Sequence, residues 1–263
     1  MLERLRRWLG RAGQAGPEID EALWRRVETG LPFLAYLEPH NRARLRALAR
    51  RFLACKQFHG AHGLDVTDEM MLAIALQACL PVLRIGLEAY RGWVGIVVYP
   101  GGIVIPRREV DEAGVVHEFD DEVLGEAWQD GPVLLSWSGG APHEGPVNVV
   151  IHEFAHKLDM ENGGADGFPP LPPDLSREDW ARDFSRAYEA MCRSLDAGLP
   201  TALDPYAAEH PAEFFAVAAE AFFETPNDLK RAHPAVYAQL SRLFGTDPAA
   251  GEAALHPQRA RLD

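Results

Sequence analysis

Apolar positions recur at helical spacing through the first third of the chain. Leu23, Trp24, Val27 and Leu31 share one face, and Leu45, Leu48, Ala49 and Phe52 repeat the pattern behind Asn41, which reads as a cap. Thr67-Asp68-Glu69-Met70 reads as a further helix start, leading into an apolar run over 71–80 that Pro81 interrupts. Residues 17–90 are therefore expected to form a helical N-terminal part behind a flexible basic tail over 1–16. Between Trp93 and Trp137 the period changes. Short runs at 94–99, 102–106, 114–119 and 133–137, rich in Val, Ile and aromatics and separated by Gly and Pro, predict a small sheet within 91–140. Asp111-Glu112-Ala113-Gly114 reads as a turn between two of its strands. Helical spacing returns at 147–159, about 179–195, and 211–224, within a last part spanning 147–263.

With 263 residues, 47% hydrophobic and 25% charged, the chain has the composition of a globular protein, read here as one domain over 17–263. No run of 18 apolar residues is present, so no membrane span is expected. The first ten residues are basic and amphipathic but lack a following apolar segment, which points to a cytoplasmic protein. Lys and Arg number 26 against 39 Asp and Glu, a net charge of −13 that argues against direct nucleic-acid binding and leaves a specific protein partner open. Cys55, Cys79 and Cys192 are odd in number and lack C-x-x-C spacing, so they are expected to be reduced and packed.

The chemistry concentrates in His152-Glu153-Phe154-Ala155-His156. Residues four apart on a helix lie about 40° apart, so both imidazoles can close on one cation while Glu153 projects beside them. Zinc in such sites takes three protein ligands and keeps a position for water, whose proton the intervening Glu accepts. Val149, Val150, Ile151, Phe154, Ala155 and Leu158 surround the motif, which predicts a buried helix. A buried helix does not carry two His and a Glu for solubility. Lys157 departs from this surround and is expected near the helix end. The metzincin continuation is absent, since Asp159 and Asn162 stand where it needs Gly and His, so the third ligand must come from elsewhere.

The segment 204–224 supplies candidates. Pro211 suits a first helical position, which puts Glu213 in the first turn, and Glu220 and Glu224 fall within about 20° of it on the helical wheel. Phe214, Phe215, Ala218, Ala221 and Phe222 form the adjoining core face. Glu213 is the preferred ligand. Glu209 and Glu220 are rivals, Glu220 equally as a partner of a ligating His, and Glu224 reads as a solvated face. His59 and His62, set among glycines with no acid nearby, read as surface or structural residues, and Ser136-Trp137-Ser138-Gly139-Gly140 lacks the turn of a serine nucleophile. The sheet is a candidate cradle for a peptide.

The runs 152–159 and 204–217, with Gly-Val-Val-His-Glu (114–118), Trp-Gln-Asp-Gly-Pro-Val (128–133) and Leu-Ser-Trp (135–137), resemble the Mlc titration factor A (MtfA) family of zinc metallopeptidases. The resemblance covers most of the chain beyond about residue 20. It implies an α+β, zincin-like fold similar to the catalytic domain of anthrax lethal factor, with one Zn2+ per chain and aminopeptidase action on short peptides. By the same resemblance His152, His156 and Glu213 bind zinc, Glu153 is the general base, Tyr206 assists at the oxyanion, and His117 is a further metal contact. The family's named partner is a Mlc-like transcription repressor. The competing expectation is therefore a regulatory protein that sequesters such a repressor, with hydrolysis latent or incidental. His117 as a fourth protein ligand would favour that view, or would act as a latch over the water position that swings away with residues 114–118.

Overall fold

The computed structural model describes residues 16–110, 116–137 and 148–255. The N-terminal part contains α1 (Glu21–Thr29), α2 (Pro39–Cys55) and α3 (Asp68–Cys79). Asp20 caps α1 by accepting from the Ala22 N–H at 3.0 Å, and Thr67 caps α3 by accepting from the Met70 N–H at 3.2 Å. The expected cap Asn41 lies inside α2. Pro39 occupies the first turn, where its missing N–H costs nothing, and the helix therefore begins three residues earlier, with Glu38 at the cap position.

The sheet differs from the expected one in both size and connectivity. β1 (Gln57–Gly60), β2 (Gly95–Tyr99), β5 (Gly125–Ala127) and β6 (Val133–Ser136) form four strands in the order β1-β2-β6-β5. β1 and β6 both run parallel to β2, whereas β5 pairs antiparallel to β6 at the sheet edge. All four residues of β6 are buried, as parallel strands covered on both faces require. The remaining strands, β3 (Ile103–Val110) and β4 (Val116–Val123), pair with each other as a separate antiparallel ribbon. β3 runs on past Pro106, which a two-stranded ribbon tolerates because each strand has an unpaired edge. The turn expected at 111–114 lies outside the described residues.

The C-terminal part contains α4 (Val149–Asp159), α5 (Arg177–Asp196), α6 (Pro211–Glu224), α7 (Pro226–Ala232), α8 (Pro234–Phe244) and α9 (Pro248–Leu255). All eleven residues of α4 are buried. On one side the Phe154 ring meets those of Phe52, Tyr90 and Trp93, with centroids 5.5, 5.3 and 5.8 Å away. The Tyr90 hydroxyl lies 3.2 Å from the Phe154 carbonyl and 3.0 Å from that of Ala78, tying α4 to α3. α6 also packs on α4, and its Phe214, Phe215, Phe222 and Phe223 are buried against α5 and α8. Among the described residues no helix is long and apolar enough to cross a membrane. The three cysteines are unpaired, but Cys55 is exposed at the end of α2 rather than packed.

Lys157 lies in the last turn of α4, near the helix end as expected, but it is buried there. It is 3% exposed, and its Nζ donates to the carbonyls of Trp128, Gln129 and Gly131, closing the β5–β6 connection onto α4. Its Nζ stands 4.5 Å from the centroid of the Trp93 ring, and that of Lys56 stands 3.5 Å from the same centroid. Burial lowers both lysines to about 8, and for Lys56 the neighbouring Lys157 charge adds to the effect. Lys157→Met is expected to cost about 2–3 kcal/mol in urea unfolding, because three charge-assisted bonds from a buried ammonium are lost. An unchanged unfolding midpoint would show that the connection holds without it.

Candidate metal centre

The site is built from the start of α4. Asn148 caps that helix, its Oδ1 accepting from the Ile151 N–H at 3.0 Å. Its Nδ2 donates to Gln77 Oε1 of α3 at 2.8 Å and to Glu224 Oε1 of α6 at 2.7 Å, while its backbone N–H donates to Glu220 Oε2 at 2.6 Å. One asparagine thus fixes the position of α4 against two other helices. Glu224, expected on a solvated face, is half-buried and engaged in this clamp. Glu220 is buried, and its Oε1 lies 2.6 Å from His152 Nδ1. This is the arrangement of a carboxylate that orients a His, one of the two roles weighed for it.

The ring of His152 then presents Nε2 to a second group of atoms. His152 Nε2 is 3.1 Å from His156 Nε2 and 3.1 Å from Glu213 Oε2, and His156 Nε2 is 3.2 Å from the same carboxylate oxygen. Among the described residues these three side chains form a group able to hold a metal ion. Glu213 comes from the first turn of α6, where Pro211 occupies the start of the helix and the His210 side chain accepts from the Ala212 N–H. The spacings approach the roughly 3.3 Å between ligands that a tetrahedral ion with bonds of about 2.0–2.1 Å requires. The donor set, two imidazoles and one carboxylate, also suits zinc.

Electrostatics leads to the same place. Burial disfavours the cationic form of His152, yet bonds to Glu213 and Glu220 outweigh it and raise the ring to about 10. Burial likewise opposes ionisation of Glu213, and the bonds from His152 and His156 overcome it and bring the carboxyl down to about 2. Positive charge is therefore favoured where the three atoms meet, and a metal ion would supply it in place of protons.

Glu153 faces the adjoining cleft. It is 4% exposed, and among the described residues its carboxyl has no hydrogen-bond partner. Burial pushes it up to about 8; the His152 charge opposes this, and those of Glu213, Glu126 and Glu220 add to it. β5 runs directly against this side chain. A Cβ on Gly125 would lie 2.5 Å from Glu153 Oε1 and 2.7 Å from its Cγ, so any other residue there would force the Glu153 side chain to shift. The cleft has a volume of about 470 Å³ and is bounded by β4, β5, α4, α6 and the segment 202–206. Tyr206 stands on its rim, 45% exposed, on a turn that Asp204 caps by accepting from the Tyr206 N–H at 2.9 Å. Its ring centroid is 6.1 Å from that of His152, and burial and the nearby carboxylates raise its pKa, so the phenol keeps its proton.

The structure does not bring every expected residue together. His117 is exposed on β4, paired with Glu109 across the ribbon, and stands outside the three-residue group. Glu209 is exposed and also lies outside it. His59 belongs to β1 and His62 packs edge-on against Tyr99 at 5.5 Å, in keeping with structural roles. Sequence reasoning passed over Gly125, Gln77 and Asn148. Only Asn148 left a signal, a cap residue directly before the apolar start of α4.

This geometry can be set beside known proteins. The profile of a family described as glucose-regulated metallo-peptidase M90 matches residues 5–245. The chain is 37% identical over 226 residues to Mlc titration factor A of Serratia proteamaculans, covering 84% of this chain and 86% of that protein. It is 34% identical over 239 residues to Mlc titration factor A of Escherichia fergusonii, covering 89% and 90%. It is also 37% identical over 223 residues to the Synechocystis protein slr2042, covering 83% and 81%. The match takes in the N-terminal helices, the sheet and the helices of the candidate metal centre alike, and the chain belongs to the glucose-regulated metallo-peptidase M90 family.

Proposed function

We propose that this protein is a zinc-dependent peptidase that removes N-terminal residues from short peptides. The observation that carries this reading is the convergence of His152, His156 and Glu213 beside a buried Glu153, unpartnered among the described residues, on the wall of an open cleft. Zinc sites that serve only structure are closed by four protein ligands, whereas catalytic sites keep one position open. Among the described residues three side chains meet here, which supports catalysis over the regulatory alternative. His117 is left out of the ligand set because it stands on the exposed ribbon. The name Mlc titration factor A, carried by the Serratia and Escherichia relatives, supports a repressor partner only as a further role.

When bound, the ion would polarise the scissile carbonyl and make a neighbouring water more acidic. Glu153 takes the proton from that water and later returns it to the departing amine, a task for which a carboxyl raised toward neutrality is suited. Glu220 holds His152 through Nδ1, so that Nε2 keeps its direction toward Glu213. Tyr206, held in its protonated form, donates to the carbonyl oxygen as negative charge builds there. Gly125 leaves the space that the Glu153 carboxyl occupies.

Protein purified without chelators is expected to carry one zinc per chain by elemental analysis, and Glu213→Ala to lose it. Glu153→Gln should retain the metal and lose about 10²- to 10⁴-fold in hydrolysis of amino-acid p-nitroanilides. Wild-type turnover by Glu153→Gln would remove the residue from its role. Gly125→Ala is expected to keep zinc and helical content but to displace the Glu153 carboxyl, lowering kcat about 10²-fold. An unchanged kcat would mean that the carboxyl has room elsewhere. Tyr206→Phe should fold, hold zinc and turn over about 10²- to 10³-fold more slowly. If its rate matches wild type, Tyr206 only packs the turn before α6.

A further inference from the structure

The cleft carries more negative charge than the reaction proposed above uses. Among the described residues that line it, seven of eighteen are carboxylates and none is Lys or Arg. The cavity has the marks of a ligand site independently of that charge, because Glu153 lines it nine-tenths buried and its carboxyl has no partner among the described residues. Most of the other carboxylates are committed. Glu220 is held by His152 and the Asn148 N–H, and Glu224 by Asn148 Nδ2. Asp121 faces Arg107 at 3.2 Å, and Asp204 caps the Tyr206 turn. Glu122 on β4 and Glu209 on the turn before α6 remain, both exposed and lining the cleft. Among the described residues neither side chain has a hydrogen-bond or ion-pair partner. Neither belongs to the group of three side chains that would hold a zinc ion.

Resting on the peptidase reading, we propose that the cleft selects peptides with a lysine or arginine side chain next to the scissile bond, and that Glu122 and Glu209 recognise its cation. Each exposed pair contributes modestly, and two acting on one cation set a preference of about five- to tenfold. A substrate whose own carboxylate had to enter the cleft would be repelled, so cleavage from the C-terminal end is disfavoured.

The test is equilibrium binding of arginine amide, norleucine amide and N-acetylarginine amide to the zinc-loaded full chain by calorimetry, with kcat/KM measured for arginine and norleucine p-nitroanilides. Arginine amide should bind about five- to tenfold more tightly than norleucine amide, its apolar counterpart with the same α-amine. N-acetylarginine amide should keep that advantage, and salt at about 0.5 M should shrink it. Glu122→Gln and Glu209→Gln should each bring the arginine-to-norleucine ratio closer to one. A wild-type ratio near one, a ratio unmoved in both variants, or an advantage lost on N-acetylation would overturn the proposal. Failure to hydrolyse either anilide with the binding ratio intact would instead count against the peptidase reading and leave the cation subsite standing.

Discussion

The structure depends on the burial of α4. A helix covered on every face cannot carry two imidazoles, two carboxyl groups and an ammonium unless the surrounding elements answer most of them, because each unanswered polar group costs free energy in the interior. The partners come from distant parts of the chain. Glu220 and Glu213 reach His152 from α6, Gln77 reaches the Asn148 cap from α3, and the carbonyls of the β5–β6 connection receive Lys157. Among the described residues Glu153 is the carboxyl of α4 left without such an answer, and it borders the cleft.

α6 acts as the complement of α4. Its acidic row meets the histidines and the Asn148 cap, while its phenylalanines are buried against α5 and α8. Holding a carboxylate against two imidazoles requires a rigid backbone, and four buried phenylalanines on one helix supply it. The same packing explains how Glu213 and Glu220, two turns apart, take different positions around His152: one meets Nε2 and the other Nδ1.

Much of this was legible in the sequence, in proportion to how local the cause is. The buried character of α4 follows from apolar residues all round its circumference, and the register of α6 from Pro211 at its first turn. The wheel placed Glu224 on an acidic face, but it could not show that the cap of another helix would lie against that face. β1 escaped because Gln-Phe-His-Gly holds one buried apolar residue, Phe58, and becomes a strand only through parallel pairing with β2, 38 positions on (Gln57 to Gly95). β5 is three residues long and has no periodicity to read. Lys157 is legible as a helix-end residue, but not as a buried one, because the three carbonyls that receive it belong to a turn far away in the chain.

The two sides of the cleft differ in kind. The α4–α6 side is set by interlocked aromatic packing, whereas the opposing β3–β4 ribbon shares no strand pairing with the four-stranded sheet among the described residues. Among the described residues Arg107 of β3 links the ribbon to the sheet, at 2.7 Å from Glu126 of β5 and 3.2 Å from Asp121 of β4. Aperture and ligand geometry are thereby mechanically separate. A change in the ribbon's position would alter the width of the cleft without altering the distances among His152, His156 and Glu213, which the helices hold.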